Sequence, residues 1–379
     1  MNKESKFKYD TINEPVKVPF TITWDILRRC SFDCTYCPPH RHDLVSPYPS
    51  RKELDDVSEF LIDYLKVVKD YRISDEFNIS LTGGEPTVYP EFIEFAGYLK
   101  NLKQENGIKL FVTLTSNGAF SNTIRDFISK KLDWITISWH CEANENAKKR
   151  TFENILKINK ERNLDKSTAG VAVNVMFHQK YFDECKELCD ELHKNNIKFN
   201  PRIVGDSGSP NPPYTHEYTP DQLNYILNYW KKEKTKQKGN VHGRSIGRAC
   251  CSLRQLTLLN STNNESIETG WISDTRFQDW YCAVNWFFLH INQHDNELLH
   301  HQTCKQLWNK KRGPICDLSK EKLYKHLDWL KEQLANKSLP ILQCSKHTCG
   351  CGMCVPKSES LDKFKNVLSG HMNNMEILV

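Results

Sequence analysis

Six short apolar, β-branched runs recur between residues 20 and 204, at 20–26, 77–82, 110–115, 134–139, 171–175 and 199–204. Between them lie five stretches whose apolar residues repeat with helical spacing, at 54–68, 91–102, 122–129, 152–159 and 181–193. Parallel strands cannot be joined by tight turns and need a crossover, so this alternation predicts a parallel sheet covered by helices. The fold class expected is α/β. Functional residues are then expected at the carboxyl ends of the strands, where parallel α/β barrels place their sites.

After residue 204 the pattern breaks. A run of turn-formers (205–219) is followed by a helical segment at 221–232, a lysine-rich loop, and from Trp271 onward by aromatic strands, turns and clustered cysteines. The expected organisation is an N-terminal extension (1–19), a core (20–210), a linker and helix (211–250) and a smaller cysteine-rich α+β domain (251–379).

No apolar run approaches the ~20 residues of a membrane span, and the polar first ten residues lack the apolar stretch of a signal peptide. The expectation is a cytoplasmic protein with no membrane partner. Cytosolic thiols are kept reduced, so the 15 cysteines point to metal or cluster ligation rather than disulfides. A net charge of +5 permits an anionic substrate without requiring one.

Three of those cysteines, Cys30, Cys34 and Cys37, share one short loop directly after the first strand. Three thiolates so placed can hold three irons of a 4Fe-4S cube and leave the fourth iron open for chemistry. Similar spacings also serve as half of a zinc site. Gly83-Gly84-Glu85-Pro86 follows the second strand, where glycines let the backbone approach a ligand closely. Thr115-Ser116-Asn117-Gly118 ends the third strand with hydroxyl and amide groups suited to ribose or carboxylate contacts. Ser138 at the end of the fourth strand is a similar candidate, and Asn174 on the fifth either reaches a nucleoside or is a satisfied buried amide.

The cysteine run with Tyr36 before its last thiol, followed by the Gly-Gly-Glu-Pro segment, resembles the radical S-adenosylmethionine (SAM) enzymes. The resemblance covers about the first 205 residues. It implies a partial (β/α)6 barrel, a 4Fe-4S cluster on Cys30, Cys34 and Cys37, and SAM bound at the open iron. It also implies reductive cleavage of SAM to methionine and a 5′-deoxyadenosyl radical, with an electron donor such as flavodoxin or ferredoxin. Tyr36, Gly83, Gly84, Glu85, Ser116, Asn117, Ser138 and Asn174 become the expected SAM-binding residues.

Further along, Cys282 and Cys304 flank a hairpin-like pair of strands, 286–292 and 297–302, and Cys344, Cys349, Cys351 and Cys354 crowd one glycine-containing loop. This arrangement resembles the Twitch/SPASM auxiliary domains of the same enzymes, which carry one or two additional 4Fe-4S clusters. One set is expected on Cys282, Cys304, Cys351 and Cys354, with Cys344 and Cys349 as alternates or part of a second site that could include Cys316, Cys250 or Cys251. Zinc on Cys344, Cys349, Cys351 and Cys354 is the alternative, since both metals take thiolates.

Cys141 follows the fourth strand and is a candidate hydrogen-atom donor, or else a packed thiol; its neighbours His140 and Glu142 are candidates for proton exchange with substrate. Cys185 and Cys189 share one helix face and read as core thiols, while His40 and His42 read as solvent-facing or substrate-side. The basic run from Lys231 to Arg248 reads as a solvated linker or a phosphate contact. The 29 residues before Cys30 are few for a module that recognises precursor peptides. The expected substrate is therefore first a small molecule or sugar, then a peptide, then a nucleic-acid base.

Overall fold

The computed structural model describes residues 20–37, 42–71, 73–74, 76–164, 171–204, 218–222, 224–226, 228, 281–282, 284–300, 314–336, 338–339, 342–343, 357–358 and 360–362. Its centre is a sheet of eight strands in which six run parallel in chain order: β1 (Phe20–Leu27), β2 (Phe77–Gly83), β3 (Leu110–Ser116), β4 (Trp134–His140), β5 (Val171–Phe177) and β6 (Lys198–Ile203). Helices α1 (Arg51–Asp70), α2 (Phe92–Glu105), α3 (Asn122–Lys131), α4 (Glu145–Leu164) and α5 (Phe182–Lys194) make the crossovers. This parallel α/β architecture is the one expected.

Strand alternation divides the sheet into two unlike faces. Phe20, Ile22, Trp24 and Ile26 of β1 are at most 1% exposed, and they join Ile79, Leu81, Val112, Leu114, Ile135, Ile137, Val173 and Val175 in one core against the helices. Each such side chain contributes about 1.5–3 kcal/mol of burial. The alternate residues are polar: Thr21, Thr23 and Asp25 on β1, Ser80 and Thr82 on β2, Thr113 and Thr115 on β3, Thr136 and Ser138 on β4. Several of these remain half-buried, so this face lines a cleft that water can reach.

α1 starts where Ser50 and Glu53 form a capping box, each side chain accepting from the other's backbone N–H. α4 begins at Glu145, earlier than the apolar periodicity indicates, because its first turns are polar. They are held by Lys148, whose Nζ lies 2.9 Å from Glu184 Oε2 on α5.

The hairpin is present, but its neighbours differ from expectation. A short helix, α6 (Val284–Phe287), leads into β8 (Phe288–Asn292) and β9 (Glu297–Leu299), with β7 (Tyr281–Cys282) just before. β8 pairs parallel with β1, so the hairpin extends the sheet of the core. Trp286, just before β8, is 2% exposed within the main core. Period-two alternation identifies a strand but not the edge it joins. β7 lies instead in a second sheet between β10 (Leu342–Gln343) and β11 (Lys357–Ser358), antiparallel to both. Among the described residues no helix is long and apolar enough to cross a membrane.

α7 (Lys320–Ala335) packs its buried Leu323, Leu327, Leu330 and Leu334 inward, and Tyr324 donates to Asp63 of α1 at 3.0 Å. His326 of this helix stacks on Tyr64, with ring centroids 6.1 Å apart, and burial pushes its pKa down to about 4. The unfolded chain therefore binds a proton near pH 6.5 that the folded chain refuses. Stability contributed by this group is full above about pH 6.5 and is lost as pH falls toward 4. Urea unfolding across that window is expected to show a shallower acid loss in His326→Gln than in wild type; parallel profiles would refute the assignment.

Candidate active site

The cysteine loop leaves β1 and is gripped at its root by the exit of β2. Gly84 N–H donates to Leu27 O at 2.8 Å, and Glu85 N–H donates to Arg29 O at 2.9 Å. A Cβ on Gly84 would stand 2.2 Å from Arg28 O and 2.4 Å from Arg29 O, and Gly83 adopts φ +128°, so neither position admits a side chain. The glycines thus serve the contact between two loops, in addition to any ligand. The root is closed on the other side by Cys30 N–H donating to Asp43 O at 2.7 Å and by Arg28 Nε 3.2 Å from Asp43 Oδ2.

Glu85 is 1% exposed and acts as a hub. Its Oε1 accepts from Thr87 N–H (3.0 Å), Thr87 Oγ1 (2.6 Å) and Ser116 Oγ (2.8 Å), and its Oε2 accepts from Asn117 N–H (2.6 Å). Burial pushes its pKa up, and these donors oppose the shift. Asn117 then reaches the cysteine loop itself, its Nδ2 donating to Ser31 Oγ at 2.9 Å. One carboxylate therefore ties the ends of β2 and β3 together, and Asn117 ties both to the loop.

The far end of the loop docks on β4. Thr35 donates its N–H and its hydroxyl to Glu142, at 2.7 Å and 2.6 Å. The Tyr36 hydroxyl is hydrogen-bonded to His140 Nδ1 at 2.6 Å, with the two rings stacked at 12°. His140 Nδ1 also lies 3.6 Å from Cys34 Sγ, and Phe32 meets the imidazole edge-on. Burial, with repulsion from His42, pushes the His140 pKa down to about 4. His140 and Glu142 are thus buttresses of the loop, where the sequence suggested proton exchange with substrate. A loop rooted on β1 and anchored beyond β4 spans the mouth of the polar cleft.

Cys141 is 1% exposed and its free thiol is hydrogen-bonded to the free thiol of Cys185 on α5, which places it in the core behind β4. This is the position that the packed-thiol alternative describes. Cys185 and Cys189 are buried as expected, at 0% and 2% exposure. His42 turns inward, with Nε2 3.3 Å from Asp33 Oδ1, contrary to a solvent-facing position. His40 lies outside the described residues.

The three loop thiols suit a polynuclear cation. Burial pushes Cys30 up to about 11 and Cys34 up to about 12, with mutual repulsion among the three adding to the shift. Such thiolates need a strong neighbouring positive charge to ionise. Among the described residues no group converges tightly enough to grip a single metal ion. Three thiolates on one loop match three corners of a cubane, whereas a structural zinc site takes four protein ligands.

Across the cleft, Ser138, Asn174 and Asn200 share one register level on β4, β5 and β6, and Asn200 Nδ2 donates to Asn174 Oδ1 at 3.5 Å. Cys304, Cys344, Cys349, Cys351 and Cys354, with Cys250, Cys251 and the basic run, lie outside the described residues. Cys282 is placed by its backbone in β7. Sequence reasoning did not single out Ser31 or Thr35, whose roles arise only from partners on distant strands. It also passed over Asp25 and His290, polar residues inside apolar-looking strands.

The profile of the Radical SAM superfamily matches residues 24–210. GTP 3′,8-cyclase of Actinobacillus pleuropneumoniae serotype 5b (strain L20) is 36% identical over 89 residues, which is 24% of this chain and 23% of that protein. The chain is thus matched to under a quarter of the length of these curated relatives. Native anSMEcpe with bound AdoMet superposes with a TM-score of 0.51 at 13% identity, covering 94% of this chain and 100% of that one. Native anSMEcpe with bound AdoMet and Kp18Cys peptide gives 0.52 at 12% identity, covering 94% and 98%. These structures share the fold.

Replacing Glu85 with Gln sets an amide N–H2 against donors that now meet a carboxylate. Glu85→Gln is expected to destabilise the protein by about 1–3 kcal/mol, measured by chemical denaturation. It is also expected to lower the iron retained after reconstitution. A variant as stable as wild type, with full iron, would remove the hub.

Proposed function

This chain belongs to the radical SAM superfamily of enzymes, and on that premise we propose that it abstracts hydrogen from a C–H bond of a small-molecule or sugar substrate. The observation that carries the reading is the three-cysteine loop stretched over a polar cleft and clamped by the Gly83-Gly84-Glu85 and Ser116-Asn117 segments. When bound, the 4Fe-4S cluster and SAM supply a 5′-deoxyadenosyl radical after one-electron reduction.

The chain's own residues position and enclose that chemistry. Cys30, Cys34 and Cys37 hold the cluster. The backbone of Gly83 and Gly84 would meet the methionyl end of SAM, and Glu85, saturated by protein donors, holds that backbone and Asn117 in place. Asn117, Ser138 and Asn174 offer amide and hydroxyl groups to the nucleoside. Tyr36 and His140 pack the loop and exclude water from its inner side.

An auxiliary 4Fe-4S cluster on Cys282, Cys304, Cys351 and Cys354 is part of the proposal, with Cys344 and Cys349 as alternate ligands or part of a second site. Its support is backbone register. Leu342, just before Cys344, and Lys357, just after Cys354, both pair with Cys282. The segment bearing four cysteines therefore starts and returns at the strand bearing a fifth. Such a cluster would carry electrons, and a flavodoxin- or ferredoxin-type donor in the cytoplasm would supply the first.

Anaerobic reconstitution with iron and sulfide, then dithionite and SAM, is expected to yield 5′-deoxyadenosine from wild type and none from Cys30→Ala, Cys34→Ala or Cys37→Ala. A well-formed cluster without any 5′-deoxyadenosine would defeat the reading. The triple variant is expected to keep part of the iron; retention of zinc alone would remove the auxiliary cluster.

A further inference from the structure

The polar face beneath the cysteine loop contains a buried histidine–aspartate pair that none of the roles above uses. His290 on β8 and Asp25 on β1 lie on adjacent parallel strands, with His290 level with Thr23 and Asp25 level with Asn292 and Thr82. His290 Nε2 stands 3.4 Å from Asp25 Oδ2, with side chains 2% and 12% exposed. That nitrogen is enclosed yet makes no hydrogen bond among the described residues. Buried polar atoms of this kind are nearly always satisfied in a working state, by protein, water or ligand.

The position is near the chemistry. Asp25 pairs with Thr82, which precedes Gly83 directly, and Leu27, which pairs with Gly83 across an irregularity in β1, accepts from Gly84 N–H at 2.8 Å. Asp25 therefore sits one register position below the Gly83-Gly84 segment. Around it the same face carries Thr23, Thr82 and Asn292, and β1, β2 and β8 contain no lysine or arginine. No lysine or arginine stands level with the pair on these three strands, and the Asp25 carboxylate faces the imidazole, so the described side chains around it favour a neutral ligand over a phosphate or carboxylate. A hydroxyl group fits both members, donating its one proton to the carboxylate and accepting from an imidazole N–H, or a neighbouring hydroxyl can donate to the imidazole when that nitrogen carries no proton.

We propose that Asp25 and His290 are the substrate-anchoring pair of this enzyme, recognising neighbouring hydroxyl groups of a neutral, sugar-like small molecule in the cleft under the cysteine loop. The inference rests on the radical SAM reading and adds to it the residues that select the hydroxyl-bearing substrate.

The test uses reconstituted full-length enzyme with SAM, titrated calorimetrically with D-glucose, myo-inositol and a capped tri-alanine at millimolar concentration. At least one hydroxyl-rich probe is expected to bind, and roughly tenfold more weakly to Asp25→Asn and to His290→Ala. His290→Gln, which keeps one polar donor and acceptor, is expected to fall between. A pair that only fastens β8 to β1 would lower the melting temperature of these variants without changing probe affinity in the folded fraction, and that result overturns the proposal. So does binding of no hydroxyl probe by wild type, or Asp25-dependent binding of the peptide alone. Formation of 5′-deoxyadenosine by wild type is scored separately, so failure of the anchoring pair is distinguishable from failure of the radical SAM reading.

Discussion

The structure depends on a contact between two backbones, the exit of β2 against the exit of β1. Gly84 and Glu85 donate their amides to the first carbonyls of the cysteine loop, in a space that excludes even a methyl group. That contact sets where Cys30 begins and thereby where all three thiols stand. Glu85 extends the same constraint sideways, because its carboxylate consumes donors from β3 and leaves Asn117 to reach Ser31. A segment that reads in sequence as a ligand-binding motif is therefore first a device for fixing the loop that carries the metal ligands.

The loop's distal end obeys a second constraint, on β4. Glu142 receives both donors of Thr35, and His140 packs between Phe32 and Tyr36. With both ends held, the thiols lie over a cleft whose walls carry threonine, serine and asparagine, while the alternate aliphatic residues of β1 to β4 face the helices. The two faces answer different needs. The helix side supplies the burial that holds the sheet, and the cleft side keeps polar groups available for ligands, at the cost of leaving part of the sheet wet.

Much of this was legible in the residues. The β-branched runs located β1 to β6 within a residue or two, since period-two burial against helices writes itself directly into sequence. Cys30, Cys34, Cys37 and the two following loops were found because their spacing and strand placement are local properties. What escaped was nonlocal. His140 and Glu142 looked like proton carriers because their loop partners lie more than a hundred positions away. The hairpin at Phe288–Leu299 was recognisable, but its edge, β1, was not, because no local signal names a strand's neighbour. Asp25 was hidden inside an apolar-looking run, and only the pairing of β8 with β1 reveals its meeting with His290.

The central claim is that the three thiols leave one iron corner open and that SAM fills it. Electron paramagnetic resonance of the dithionite-reduced enzyme, recorded with and without SAM, tests this most directly. A change in the cluster's g-values on adding SAM, lost when Cys30, Cys34 or Cys37 is replaced, is the result the account predicts. An unchanged spectrum in enzyme shown by equilibrium dialysis to hold SAM would contradict it.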